Sequence, residues 1–437
     1  MPLPSSPPPP AVDRRAFFAA TAALAGCAGA RREPGAAAAP ARPPPRAGWV
    51  PSEAVLAGIP RLLTLTGVPG VALAVVERDA VIWSHGAGVR RLGRAEPIAP
   101  ETVFEGASLG KPVFAWGVLG LVDAGALDLD RPLSEYLPLP EVSEPRAKAV
   151  TARHVLSHTS GLPNWRRAIG PLVPKFAPGE RFSYSGEGVF YLQRVVERLV
   201  GRPFGAWARD AVLRPLGMGD SSYVWRPAYE GRLAAGHLGD GEVSETVAPA
   251  GRKLQAQADA SGKPLEDWTY DDAVRGAAAS FPKPGPAPEY VLPVSAPPAM
   301  LLPNAAASLY TTVADYARFM AHVLGAPVGG PGAAGALRES TRRAMLTPQV
   351  RVSPGLSWGL GWGLEHDHVA ARGDRAPGYA WHWGNNRSVQ NFVLADLAAR
   401  RAIVIFTNGE NGFKLYERLA TSAAGREAAC LLSPLVG

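Results

Sequence analysis

Ser108 and Lys111 stand three residues apart in Ser108-Leu109-Gly110-Lys111. On a helix that spacing places both side chains on one face, one turn apart. A serine hydroxyl is a poor nucleophile at neutral pH and needs a neighbouring base. The residues that follow, Val113 to Leu121, offer almost no polar face, so the helix is expected to be buried. Burial disfavours an ammonium ion and lowers the lysine pKa, which makes a competent base. Pro112 confines the helix start to Ser108–Gly110, because proline is tolerated only in a first turn. Ser108 then sits at a helix N-terminus, where free N–H groups can hold an oxyanion. Ser280-Phe281-Pro282-Lys283 has the same spacing, but in a proline-rich stretch that cannot form the helix.

Ser108 also lies in Gly106-Ala107-Ser108-Leu109-Gly110, which matches the nucleophile elbow of an α/β-hydrolase. Gly355-Leu356-Ser357-Trp358-Gly359 matches as well, and in a chain with 48 glycines such matches are cheap. An elbow needs a buried strand running into the serine. Residues 100–105 look too short and too acidic for one.

Two further groups complete the chemistry: Phe182-Ser183-Tyr184-Ser185-Gly186 before an apolar helix, and Trp381-His382-Trp383-Gly384-Asn385-Asn386 before a strand. With these in order after Ser-x-x-Lys, the chain resembles the serine β-lactamase and penicillin-binding-protein-like superfamily, nearer its class C, D-peptidase and esterase branch. The resemblance extends through His154–Pro163, Arg214–Met218, Ala307–Thr312 and Trp358–Trp362. It covers roughly residues 52–420 and is weakest over 240–300. It implies that Ser108 is acylated, that Lys111 shares in proton removal and that Tyr184 shuttles protons to the leaving group. His382 takes the place of the lysine in the family's Lys-Thr-Gly, to polarise the tyrosine or contact a substrate carboxylate. Gly384 is expected to keep the strand edge open to substrate. The N–H groups of Ser108 and Asn385 are expected to form the oxyanion hole. One departure stands out: the family's Tyr-x-Asn reads Tyr184-Ser185-Gly186 here. The loss of that asparagine weighs against β-lactam turnover and toward esters or peptides.

Other residues carry less. His158 is expected to hold a loop beside the site. His366-Asp367-His368 lacks a third clustered ligand and reads as a solvated loop, so no metal or other cofactor is expected. Trp381, Trp383, Trp358 and Trp362 could line an apolar cleft, the last two more simply as strand packing. Glu187 and Asp315 read as helix-terminal charges.

Elements that could position these groups follow from periodicity. Helices are expected at 51–66, 111–124, 151–157, 189–200, 204–212, 313–324 and 413–432. Strands are expected at 70–76, 80–89, 389–396 and 402–407. Strands near both ends with helices between predict an α/β fold of the α+β type. An antiparallel sheet flanked by helices packs on a mostly helical subdomain, β-lactamase/transpeptidase-like, with Ser108 at the junction. Residues 240–300, with Pro282 to Pro288, read as a long irregular excursion.

Composition sets the outer limits. Of 437 residues, 47% are hydrophobic, enough for a large core. The net charge of +7 is concentrated in the first fifty residues, where six arginines face Asp13 and Glu33. The rest is nearly balanced, so no nucleic-acid footprint is expected. Arg14-Arg15 followed by an apolar run reads as an export signal. Leu24-Ala25-Gly26-Cys27 resembles a lipobox, which implies lipidation of Cys27. The expected layout is an export signal over 1–27, an Ala/Pro/Arg-rich tether over 28–50 and one hydrolase domain over 51–437, exported and held at a membrane by the lipid. Cys430 is then the remaining thiol. The expected activity is a serine hydrolase acting through an acyl-enzyme on an ester, D-amino-acid peptide or β-lactam. The alternative is a non-catalytic protein that binds cell-wall peptides or a partner in the same cleft.

Overall fold

The computed structural model describes residues 49–166, 170–244, 247–280, 301–329, 335–366 and 377–432. The export signal, Cys27, the tether up to residue 48 and most of His366-Asp367-His368 lie outside them.

Helix α1 (Glu53–Thr66) ends at Gly67, whose φ of 67° lets its N–H cap the Leu63 and Thr64 carbonyls. Strand β1 (Gly70–Glu77) follows, then β2 (Ala80–Gly88) at the sheet edge. Strand β3 (Val103–Ala107) leads into α2 (Gly110–Asp123), and α3 covers Gly186–Val200. Helices α4 (Val247–Ser261) and α5 (Tyr270–Ser280) come next. Strand β4 (Leu309–Thr312) runs into α6 (Val313–Val323). The chain then lays down β5 (Val350–Ser353), β6 (Leu356–Trp358), β7 (Gly363–Glu365), β8 (Tyr379–Asn385), β9 (Gln390–Asp396) and β10 (Arg401–Thr407), and closes with α7 (Gly412–Ala424).

Eight strands form one antiparallel sheet in the order β2-β1-β10-β9-β8-β7-β6-β5. The first long strand therefore pairs with the last, Val71 opposite Thr407. Side chains alternate across it. Val71, Leu73, Val75, Ile403 and Ile405 face α1 and α7, packing with Ile59, Leu63, Leu415 and Leu419. Ala72, Ala74, Val76, Val404 and Phe406 face the other way, into the core shared with α2 and α6. Strands β3 and β4 pair separately. This is the α+β architecture expected, with its sheet closed by both ends of the domain.

Three readings are corrected. Residues 103–107 do form a fully buried strand running into Ser108, despite Glu105. It belongs to a two-stranded antiparallel ribbon, so the α/β-hydrolase reading is still excluded. The 240–300 region contains α4 and α5, whose Leu254, Ala258, Ala273 and Ala277 are buried; residues 281–300 lie outside the described set. The closing helix stops at Ala424, because Gly425 takes a left-handed φ of 67°.

Candidate active site

Ser108 sits in the tight turn between β3 and α2. Ala107, just before it, is held at φ 50°, a left-handed conformation uncommon outside glycine. Ser108 is partly exposed, whereas its neighbours on both sides are buried. Helix α2 begins at Gly110, so Ser108 precedes the first helical turn. Its N–H makes no hydrogen bond to a described residue.

Lys111 reaches back one turn. Its Nζ donates to Ser108 Oγ at 2.9 Å and to the Ala306 carbonyl at 2.6 Å. The ammonium also lies 4.8 Å from the centre of the Tyr184 ring. Among the described residues no carboxylate pairs with it. Burial without a counter-ion pushes its pKa from 10.5 down to about 7. At neutral pH a large share of Lys111 is thus a free amine beside the serine hydroxyl.

Tyr184 enters from the residues that cap α3. Its hydroxyl is buried without a hydrogen-bond partner. Burial raises its pKa, and the nearby Ser108 hydroxyl opposes that rise only in part, so it is a neutral phenol. Its ring lies against His158 (centroids 4.2 Å apart) and Trp383 (5.0 Å). His158 Nδ1 accepts the Ser185 N–H at 3.1 Å, which leaves the proton on Nε2. His158 therefore does hold the loop, by orienting the tyrosine segment.

His382 on β8 is fully buried, and its pKa falls to about 3, first by burial and then by the Lys111 charge. Nδ1–H donates to the Trp383 carbonyl at 2.8 Å, so Nε2 is a bare lone pair, and it has no partner. A neutral acceptor suits a donor such as the Tyr184 phenol, the first of the two expected roles, better than a substrate carboxylate. The two orphaned atoms, Tyr184 Oη and His382 Nε2, are one donor and one acceptor, and buried polar atoms seldom stay unpaired.

At the end of β8, Asn386 N–H donates to Val389 O at 3.3 Å. Antiparallel pairs alternate between bonded and non-bonded. Asn385, opposite Gln390, therefore turns its N–H away from β9. Strand β7 pairs with β8 only through Tyr379–Trp381, so among the described residues no strand pairs with β8 beside Asn385. The glycine at 384 has a different reason from the one expected. A Cβ there would lie 2.3 Å from the Gly106 carbonyl, so Gly384 permits β3 to lie against β8.

Gly186 is likewise a matter of space. A Cβ on it would meet Trp165 ring carbons at 2.5–2.8 Å. The Pro163–Arg166 strap that carries this ring is tied to the start of α3. Asn164 O accepts the Gly186 and Glu187 N–H groups, and Arg166 donates to Glu187 through its backbone N–H and its Nε. Glu187 is thus the strap's clamp as well as a helix-terminal charge. Asp315, the other such charge, accepts from the Ser221 hydroxyl and the Asp220 N–H at the start of α6.

Trp358 and Trp381 are fully buried strand residues and Trp362, just before β7, is fully buried too, so none of the three is a cleft wall. His366 bonds Ser357 Oγ at 2.8 Å, and among the described residues no group of three or more His, Cys, Asp or Glu could hold a metal. A cavity of about 470 Å³ lies away from these residues, beside Arg209, Trp225 and Arg226. Of its three arginines, Arg209 and Arg226 are paired with Glu266 and Arg214 with Asp210, so its charged lining is an ion-pair network. Sequence reasoning missed Trp165, Ala306, Glu105 and the Asn386 side chain. Nothing local marks them, because each is brought in from a different segment.

The beta-lactamase family model matches residues 59–426. Penicillin-binding protein 4 of Amycolatopsis lactamdurans is 32% identical over 54% of this chain and 65% of its own length. Esterase EstB of Burkholderia gladioli is 32% identical over 35% of this chain and 47% of its own. The chain therefore spans between about half and two thirds of these curated relatives. The solved β-lactamase/D-alanine carboxypeptidase from Pseudomonas syringae superposes with a TM-score of 0.63 at 14% identity, over 85% of this chain and 97% of that one. With the expected sheet, the expected motifs and a family match over most of its length, the chain belongs to the beta-lactamase family.

Proposed function

We propose that the protein is a serine hydrolase acting through an acyl-enzyme on Ser108. The observation that carries this is the 2.9 Å contact between Ser108 Oγ and a buried Lys111 with no counter-ion and a pKa near 7. The neutral amine takes the Ser108 hydroxyl proton as Oγ attacks the substrate carbonyl carbon. The N–H groups of Ser108 and Asn385 receive the oxyanion, each donor being worth roughly 3–4 kcal/mol in such sites. As the bond to the leaving group breaks, that group takes a proton from the Tyr184 phenol or the Lys111 ammonium. Water then attacks the acyl carbon, giving a proton to whichever of those two groups had lost one, and the Oγ–acyl bond breaks as Ser108 takes a proton back. His382, neutral and accepting through Nε2, orients the phenol or a water beside it.

Esters and small peptides are favoured over β-lactams. Gly186 supplies no side-chain amide, and the space beside it holds an indole ring. The name of one relative, an esterase, supports ester substrates, and that of the other, a penicillin-binding protein, supports binding of a β-lactam in the same cleft. The test is intact-mass spectrometry after a fluorophosphonate, with turnover of p-nitrophenyl esters and a chromogenic cephalosporin. The expected result is a Ser108 adduct and ester turnover, both lost in Ser108→Ala. A folded protein that forms no adduct would favour the peptide-binding alternative.

The first fifty residues support export and lipid anchoring at Cys27, ahead of a tether and a single hydrolase domain. Radiolabelled palmitate should enter the wild-type chain in a bacterial host and not Cys27→Ser. Label in both, or in neither, overturns the assignment.

A further inference from the structure

We propose that Asn386 is a positioning residue that ties together the two sides of the Ser108 site. One side is the strand end that offers the Asn385 N–H. The other is the turn that offers the Ala306 carbonyl to Lys111. The inference rests on reading Ser108 as the nucleophile.

Asn386 stands where three distant segments meet. Its backbone N–H closes the β8–β9 connection on Val389 O, which sets how Asn385 is presented. Its Nδ2 reaches across to the Ala307 carbonyl at 3.2 Å and to Glu105 Oε2 at 3.5 Å. Ala307 directly follows Ala306, the 2.6 Å acceptor of Lys111. Glu105 lies three residues before Ser108 on β3, and its main-chain carbonyl is held by Asn391 Nδ2 at 2.7 Å. One amide group thus touches the strand that carries the nucleophile, the turn that orients the base and the end of the oxyanion strand.

The turn is anchored from its other side. Ala306 N–H donates to Asn304 Oδ1 at 2.9 Å, and Ala305 N–H donates to Gln193 Oε1 at 2.7 Å. Those bonds hold the turn to itself and to α3. Asn386 joins it to β8. Glu105 is buried and has no cationic partner among the described residues; Tyr310 is the other titratable group that senses it. Burial pushes its pKa up to about 7, yet an oxygen is available to Asn386 in either protonation state.

Removing the amide lets the turn and the strand end move independently. A misplacement of about 1 Å between such groups can cost about 100-fold in rate. The experiment compares wild type, Asn386→Ala, Asn386→Leu and Asn386→Asp by rate of fluorophosphonate labelling, ester kinetics and pH dependence. Asn386→Asp serves only as a charge comparison, because its carboxyl faces Glu105 and could donate to Ala307 when protonated; Asn386→Leu keeps the volume and cannot donate to Ala307. Val404→Ala, in the β10 core away from the site, controls for lost stability. Asn386→Ala and Asn386→Leu should label and turn over roughly 10- to 100-fold more slowly, with KM within about threefold. Their activity limb near pH 7 should move to lower pH, because a looser Ala306 contact stabilises the Lys111 ammonium less. Val404→Ala should show neither effect. A folded Asn386→Ala or Asn386→Leu with a labelling rate within threefold of wild type, or with its limb unmoved, overturns the proposal. Should Asn386→Ala not fold, Asn386→Leu carries the same expectations. A folded wild type that never labels refutes the hydrolase reading itself, and this inference falls with it.

Discussion

Placing asparagine at residue 186 tests the space around the site directly. Any Cβ there meets the Trp165 ring at 2.5–2.8 Å, against about 3.5–4.0 Å for an unstrained carbon contact. The ring would have to retreat by about 1 Å. Its strap resists, because Asn164 holds Gly186 N–H and Arg166 holds Glu187 at hydrogen-bond distances of 2.8–3.0 Å. Overpacking of this kind costs about 1–3 kcal/mol. In a domain of this size each kcal/mol lowers the melting temperature by about 2 °C or less, so Gly186→Asn should melt lower by at most about 6 °C. Trp165→Ala alone loses part of the roughly 3–5 kcal/mol of a fully buried tryptophan, since the ring is only partly buried. In the double variant the clash is gone, so its stability should match that of Trp165→Ala. Urea unfolding of all four proteins gives the cycle, with an expected favourable coupling of about 1–3 kcal/mol. Coupling within about 0.5 kcal/mol of zero would mean that the indole does not occupy this space.

Other expectations follow from the titrating groups. Lys111 has a folded pKa near 7 against 10.5 in the free side chain, so its burial costs most below pH 7 and fades between pH 7 and 10.5. Lys111→Met should therefore melt higher than wild type at pH 6, lose that advantage above about pH 10.5, and lose about 100-fold or more of the activity. Tyr184→Phe should lower kcat by about 100- to 10,000-fold without lowering ester affinity to match, as stopped-flow acylation would show. His382 titrates near pH 3, so the activity limb near pH 7 should persist in His382→Gln even as the rate falls. Glu105 is raised from 4.5 to about 7, so its contribution to stability is full below pH 4.5 and is lost as pH rises through 7. Glu105→Gln should flatten that loss, measured as urea midpoints at pH 4.5 and pH 8.

The parts that sequence made legible were those with local causes. Pro112 after Lys111 placed the start of α2, and the alternating Val71 to Val76 placed β1 in a sheet. Glycine-rich loops concealed what depends on remote neighbours. Gly384 and Gly186 look alike in sequence as open positions. One is small because the Gly106 carbonyl approaches it, the other because Trp165 fills its place. The strand at 103–107 escaped detection because its carboxyl, Glu105, is buried and satisfied by an amide 281 residues away. The role of His382 could be narrowed only once its burial and its bond to Trp383 O fixed which nitrogen carries the proton.

The pairing of β1 with β10 also bears on how the chain comes to be folded. The strand finished first during synthesis has its central partner in the strand finished almost last. Until Arg401–Thr407 leaves the ribosome, Val71, Leu73 and Val75 have no complete surface to rest on. Such long-range closure is slow, and the waiting apolar strand is exposed to misassociation. The growing polypeptide thus stays without its central sheet for most of its synthesis, and the joining of its two ends is the step at which the Ser108 site first becomes a single rigid object.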